Sequence, residues 1–178
     1  MATEDIGEVS AASAKRARFT RQMRRVPGSV AIIAAQADGA RTGLAATAWT
    51  SLSADPPMLL VCVNRSASAY QIIKRAGAFS VNLLADNELE TVAIFSAQRG
   101  LDGDARFLDK QWSIGPRGQP MLESALVTFE CAVLDSHDYG THTIFIGEVD
   151  AMGGTGGSNP LIYFDGGFAA LQTASNDL

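Results

Sequence analysis

The chain has little from which to build metal or redox-thiol chemistry. It carries two cysteines and two histidines in 178 residues. Cys62 and Cys131 each sit inside an apolar, strand-like run, so buried free thiols account for both without a disulfide. Neither has the spacing of a zinc or redox motif. His137 and His142 do not suit a ligand pair on one helix face, and Asp135, Asp138 and Glu148 add no ligand set of recognisable spacing. No metal site is expected. No apolar stretch approaches the roughly 18 residues of a membrane span, so no membrane partner is expected either. The phosphate loop with its Lys-Ser/Thr, the GxGxxG turn, the GxSxG elbow and HExxH are all absent. Gly153 to Gly157 lacks a following helix pattern and reads as a flexible loop. Charge is also scarce, at 19% of residues with a net of −5, which gives no support to nucleic-acid binding. A surface with so little charge is compatible with cover by another subunit.

What remains is a globular composition, 47% hydrophobic, in a chain long enough for one domain with a real core. Residues 1–14 read as a loose polar tail, 15–172 as the domain and 173–178 as a second tail. Glu4, Asp5 and Glu8 at the start fit neither a secretory signal nor an acid-poor transit peptide, so the protein is expected in the cytoplasm. A helix from Ala14 to Arg25 interleaves Phe19 and Met23 with Lys15, Arg16, Arg18, Arg21, Arg24 and Arg25, and stops before Pro27-Gly28. Its basic face is either simply solvated or a contact for phosphate or a partner.

Val30 to Ala35 is an expected strand, turning at Asp38-Gly39 into a second strand that runs through Trp49. Met58 to Val63 is apolar enough for a strand buried on both faces. A short helix over Ala67–Arg75 ends at Gly77, followed by a strand over Phe79–Leu84. Asn87 is placed to cap a helix over Glu88–Phe95. Ala97 to Gly118 is rich in glycine and charge and reads as a surface loop. Leu126–Leu134 and Thr143–Met152 are long strands joined through Ser136–Gly140, and Leu161–Phe164 is a final short one. Many strands and few helices, without βαβ alternation, give a mainly β fold with short helices: an antiparallel barrel with helices over its ends.

Gly43 to Ser68 is the natural cofactor region. Its small residues let a flat ligand approach the backbone, and the hydroxyls and amides of Thr47-Ala48-Trp49-Thr50-Ser51 could bond the edge of a ring. Asn64, Ser66 and Ser68 could bond a sugar-like chain and phosphate, with Ser68 near a helix start. The same residues also make an ordinary turn and helix cap. His142, entering a strand after Gly140-Thr141, could orient a substrate or exchange protons, or be a structural histidine. Arg106-Phe107 could contact a nucleotide or form a surface ion pair.

The ordered set GLAATAWTSLSADPP, LLVCVNRSAS, AFSVNLL, IFS, ARF, P-M-L, FEC, YGTH, GEV and PLIYFDGGF, spread over Phe19 to Leu171, resembles the short-chain flavin reductases. These are the NAD(P)H-dependent reductase components of two-component flavin monooxygenases. The GTH at Gly140–His142 is particularly similar to reductases serving 4-hydroxyphenylacetate 3-monooxygenase, where many other members carry Gly-Asp-His. Ala45 stands where relatives often have Thr. The resemblance implies a split antiparallel β-barrel of the FMN-binding type, a homodimer, FMN or FAD, and NADH or NADPH as co-substrate. It implies that Ala46, Thr47, Ala48, Trp49, Thr50 and Ser51 lie along the flavin ring and inner chain. Asn64, Arg65, Ser66, Ala67 and Ser68 would hold the ribityl and phosphate groups. Asn82 would support the site, Phe95 and Ser96 would flank the flavin, and His142 would face the nicotinamide, with Arg106 and Tyr163 beside it.

The expected chemistry is hydride transfer from nicotinamide to flavin, with reduced flavin diffusing to a separate oxygenase component. Hydride transfer needs stacking rather than an acid–base pair, which agrees with a site of small residues and amides. Alternatives are a flavin-dependent reductase of another acceptor, such as a corrin, with tightly bound flavin, a non-catalytic flavin-binding electron carrier, or a dimeric interaction protein.

Overall fold

A computed structural model describes residues 4–156 and 159–171; the expected 173–178 tail and Gly157–Ser158 of the glycine run lie outside the described residues. In chain order the elements are α1 (Glu4–Met23), β1 (Gly28–Ser29), β2 (Ala31–Ala37), β3 (Ala40–Ala46), β4 (Trp49–Ala54), β5 (Pro57–Asn64), α2 (Ser68–Ala76), β6 (Ala78–Leu83) and α3 (Leu89–Phe95). A 3₁₀ turn, Gly103–Phe107, precedes β7 (Trp112–Ile114), β8 (Pro120–Leu122), β9 (Val127–Tyr139), β10 (His142–Gly153), β11 (Leu161–Phe164) and β12 (Gly167–Ala170).

Seven strands form one antiparallel sheet in the order β3-β2-β6-β9-β10-β5-β4. Its two edge strands are consecutive in the chain, joined only by Thr47 and Ala48. The sheet must therefore curl until its edges meet at that link, which makes a barrel split along one seam. The expected single strand through Trp49 is thus two strands on opposite edges. Asp38 and Gly39, both at positive φ (51° and 76°), make the tight β2–β3 turn as expected.

Inside the barrel, Ile33, Val61, Val63, Phe79, Val81, Cys131 and Phe145 form the core, closed at one end by Ile72 and Ile73 of α2. A second cluster outside it packs Ile32 and Ala34 against Val92, Phe95, Phe107 and Leu122. The strand buried on both faces is therefore β2, which has a cluster on each side. On β5 burial alternates, with Leu59, Val61 and Val63 inside and Met58, Leu60 and Cys62 only half-buried, because no element among the described residues covers its outer face.

Other elements depart from the sequence expectation. α1 begins at Glu4 rather than Ala14, so residues 4–14 of the expected tail are helical. Glu88, not Asn87, occupies the N-cap of α3, and its buried carboxylate accepts from Thr91 Oγ1 (2.5 Å) and pairs with Lys110 Nζ at 3.3 Å. The stretch 97–118 holds the 3₁₀ turn and β7, with Phe107 buried against Phe95 and Trp112. The buried Glu130 fastens it, accepting the backbone N–H of Arg117 (3.0 Å) and of Gln119 (2.8 Å). The β9–β10 hairpin runs on to a two-residue turn, Gly140-Thr141, so Ser136 to Asp138 are strand and not loop.

Candidate functional site

The seam of the barrel is where the expected site residues gather. β3 ends at Ala46, Thr47 and Ala48 are exposed, and Ala48 accepts the backbone N–H of Cys62 at 2.9 Å. Tight packing holds this link: a Cβ on Gly28 would lie 2.9 Å from Thr47 Cβ. A Cβ on Gly43 would lie 2.9 Å from both the Phe95 ring and the Ile33 carbonyl oxygen.

Asn64 to Ser68 bridges the seam. Asn64 Oδ1 accepts from the Ser66 backbone N–H and from Ser66 Oγ, both at 2.9 Å, an Asx turn that reverses the chain after β5. Ser68 Oγ then shares a hydrogen bond of 2.9 Å with Thr42 Oγ1 on β3. The loop so ties the strand on one side of the split to the strand on the other. Arg65 donates to the Gly140 carbonyl at 2.5 Å and to Asp138 at 3.4 Å. Asp138 is held below the ordinary carboxylate range, chiefly by the hydrogen bond from Thr143 Oγ1 and then by the Arg65 and Lys74 charges. His142 pairs in register with Asn64, so two candidates far apart in sequence are neighbours on adjoining strands. Its ring is exposed, with Nδ1 2.9 Å from Thr141 Oγ1.

Three cavities border the link. Ala45, Ala46, Thr47, Ser96, Tyr163 and Phe168 line one of about 250 Å³. Met23, Arg24, Gly28, Thr47, Ala48 and Tyr163 line another of about 400 Å³. Trp49, Thr50 and Ser51 face a separate one of about 350 Å³ with Ser29, whose carbonyl accepts from Trp49 Nε1 at 3.2 Å. Thr47 and Tyr163 belong to both of the first two, which together reach the size of an ordinary small-molecule site.

Not every expected residue is placed to touch a ligand. Asn82 is wholly buried; its Nδ2 donates to the Ile32 carbonyl (3.0 Å) and its Oδ1 accepts the Leu122 N–H (2.8 Å), so it knits β6 to β2 and β8. Phe95 is buried in the outer cluster, edge-on to Phe107 at 5.2 Å between centroids, and only Ser96 reaches the cavity. Arg106 is half-buried and spends its donors on the Gly43 and Leu101 carbonyls, both at 2.8 Å. In contrast, Thr42 at the seam and Gln98 and Phe168 on the slot were not singled out, while Arg24, named only within the basic helix face, lines the adjoining cleft. Only the hydroxyl of Thr42 carried a sequence signal, inside a segment of small residues.

The sequence matches the family described as Flavin reductase like domain over residues 23–172. The chain belongs to the flavin reductase-like family. It is 35% identical over 164 residues to an Agrobacterium fabrum protein named FMN reductase (NADH) RutF, covering 92% of this chain and 93% of that one. A Stutzerimonas stutzeri protein of the same name is 37% identical over 152 residues, covering 85% and 86%. Among solved structures, the flavin reductase PheA2 superposes with a TM-score of 0.79 at 28% identity, covering 87% of this chain and 97% of that one. BorF, the flavin reductase component of a bacterial two-component tryptophan halogenase, gives 0.80 at 28% identity, covering 89% and 99%.

The donor set of this flavin reductase-like chain fits a flavin. A tricyclic ring needs a slot between small residues, which Ala45, Ala46 and Thr47 provide opposite Tyr163. A hydroxylated chain ending in phosphate needs hydroxyls, an amide and a cation, which Asn64, Ser66, Ser68, Thr42 and Arg65 provide at the seam. Among the described residues no cluster of His, Cys, Asp or Glu is arranged to hold a metal ion. No described helix is long and apolar enough to cross a membrane.

Proposed function

We propose that this protein is an NADH-dependent FMN reductase that delivers reduced flavin to a separate flavin-dependent oxygenase. The observation that carries the reading is the bridged seam: a slot of small residues at Ala45–Thr47, beside hydroxyls, an amide and a guanidinium that span the split. The names of the relatives favour FMN and NADH over FAD and NADPH. A flavin held at the seam would supply the hydride-accepting ring; the chain's own task is to align it with the nicotinamide and exclude water from between them. Ala46 and Thr47 line the ring slot and Ala48 the adjoining cleft, whereas Trp49 to Ser51 face a separate cavity; Asn64 to Ser68 hold the flavin chain, and His142 positions the nicotinamide or exchanges protons. Tyr163 forms the opposite wall. Asn82, Phe95 and Arg106 serve the site by holding β2, β3 and β6 in place.

The domain covers residues 15–172 and acts as a homodimer. Leu60 and Ile146, Cys62 and Ile144 are cross-strand neighbours on the outer face of β5 and β10, and all four are only half-buried, an apolar area suited to a second copy. Burial raises the Cys131 thiol to about 12, and raises Cys62 as well. Two unreactive, unpaired thiols suit a reducing cytoplasm.

The test is NADH oxidation by the purified protein with FMN, FAD and riboflavin each supplied in turn. Saturable dependence on added FMN supports an exchanging flavin substrate. A yellow protein inactive toward added flavin but active on another acceptor contradicts delivery to an oxygenase, and absence of NADH oxidation with every flavin contradicts reductase function.

A further inference from the structure

Six of the chain's 14 Lys and Arg residues fall between Lys15 and Arg25, with no acid among them, in a protein whose net charge is −5. The structure gives that cluster a shape. Arg16, Arg21, Arg24 and Arg25 line a cavity of about 920 Å³ between α1 and the β11–β12 turn, with Thr20 and Asp165 completing the wall. Thr20 and Arg24 also line the cleft of about 400 Å³ that reaches Thr47, Ala48 and Tyr163. Thr47 and Tyr163 in turn line the slot of about 250 Å³ at the seam. Basic groove, cleft and slot are therefore consecutive spaces with shared walls.

Arg24 is a fixed corner of this path. Asp165 N–H donates to the Arg24 carbonyl at 2.7 Å, Arg24 Nη2 donates to the Asp165 carbonyl at 3.0 Å, and Nε lies 3.9 Å from the Asp165 carboxylate. Arg16, Arg21 and Arg25 form no ion pair among the described residues, and all three are exposed. Unpaired guanidinium groups around a concave space are suited to bidentate capture of phosphate oxygens. On a protein of net charge −5 they are also a local positive patch that draws in a polyanion.

We propose that the α1 groove binds the pyrophosphate of a dinucleotide whose ring end enters the Thr47–Tyr163 cleft, and that this dinucleotide is the nicotinamide hydride donor. The assignment rests on the reading of the protein as an NADH-dependent flavin reductase. The donor rather than the flavin is chosen because the hydroxyls for a flavin chain sit elsewhere. Thr42 and its partner Ser68 are about 13 Å from Ala46 along β3, at 3.3 Å per residue, whereas α1 meets the other end of the site at Gly28 and Thr47. Phosphates reaching α1 then belong to a second molecule, and Arg16, Arg21 and Arg25 are its positioning residues.

The test is the full-length triple variant Arg16→Ala, Arg21→Ala, Arg25→Ala, whose changes lie on the exposed surface of α1 and the turn after it and remove no core packing. Two hydride donors are compared: NADH, and 1-benzyl-1,4-dihydronicotinamide, which has the reactive ring and no phosphate. The expected result is a rise of tenfold or more in the KM for NADH and a weaker dependence on ionic strength. The KM for FMN and the kcat/KM for the phosphate-free donor should stay within twofold. Calorimetric titration with ADP-ribose, which carries the pyrophosphate without nicotinamide, should show affinity for the parent protein and at least tenfold less for the variant. An unchanged NADH KM with unchanged ADP-ribose affinity overturns the proposal. Equal losses with both donors overturn it too, since they report a structural effect. A rise confined to the KM for FAD overturns the choice of donor and assigns the groove to flavin phosphate. If the parent protein oxidises neither donor with any flavin, the reductase reading fails, while the ADP-ribose titration still decides for or against a dinucleotide phosphate site.

Discussion

Two polar residues in apolar strands, Asn64 and Asn82, have different fates for a reason that only three dimensions supply. Asn82 points inward, where an unpaired amide would be costly, and its hydrogen bonds go to Ile32 and Leu122. Asn64 sits at the mouth of the seam and shapes the turn that holds Ser66 and Ser68 toward β3. In sequence both are an Asn within or closing a hydrophobic run, so a buried, satisfied amide and one at the mouth of the seam read alike. The exposed placing of His142 was legible because it enters a strand directly after the Gly140 turn, at φ 56°. His142→Ala is expected to lower kcat/KM for NADH by roughly 10- to 100-fold, the cost of a misaligned donor, while leaving the FMN dissociation constant nearly unchanged. Stopped-flow reduction with a separate fluorescence titration of FMN checks both; lost FMN affinity with normal turnover on added flavin would contradict the assignment.

At the scale of elements, the outer layer over β2 depends on contacts far apart in the chain. The stretch 97–118 is sparse in apolar residues, which is why it reads as a surface loop. Phe107 and Trp112 nonetheless pack on Phe95, and Glu130 of β9 holds the turn before β8. Space is tight there: a Cβ on Gly115 would lie 2.5 Å from the Glu130 carboxylate carbon. Glu130→Gln replaces an accepting oxygen with an amide nitrogen facing a backbone N–H, and should cost about 1–3 kcal/mol of unfolding free energy. Urea denaturation gives that number, and faster amide exchange at Arg117 and Gln119 would locate it. No such contact was readable from sequence, because a lone Glu in a strand is ordinarily assigned to solvent.

For the whole molecule, the mainly β barrel was legible because strand signals were numerous and βαβ alternation was absent. Its closure was not. Residues 40–54 are mostly small or hydroxyl-bearing on both sides of the link, so nothing in their composition marks the point at which the chain leaves one sheet edge for the other. The uncovered outer face of β5 and β10 is the second feature that belongs to this scale. Ile146→Asp is expected to convert the proposed dimer to monomers, with the far-ultraviolet spectrum retained. Sedimentation velocity across a concentration series decides it; a parent protein that is already monomeric at micromolar concentration removes the assembly from the account.

The two-residue link at Thr47-Ala48 carries one further implication, for engineering. A chain cut there, with its present ends joined, would keep every strand but lose the only covalent connection between the sheet's opposite edges. Both β3 and β4 would become free to splay and to pair with strands from other molecules. Circular permutation at this point would therefore trade a closed, self-limiting barrel for an open sheet prone to strand exchange, whereas permutation at the exposed Asp38-Gly39 turn would leave that closure intact.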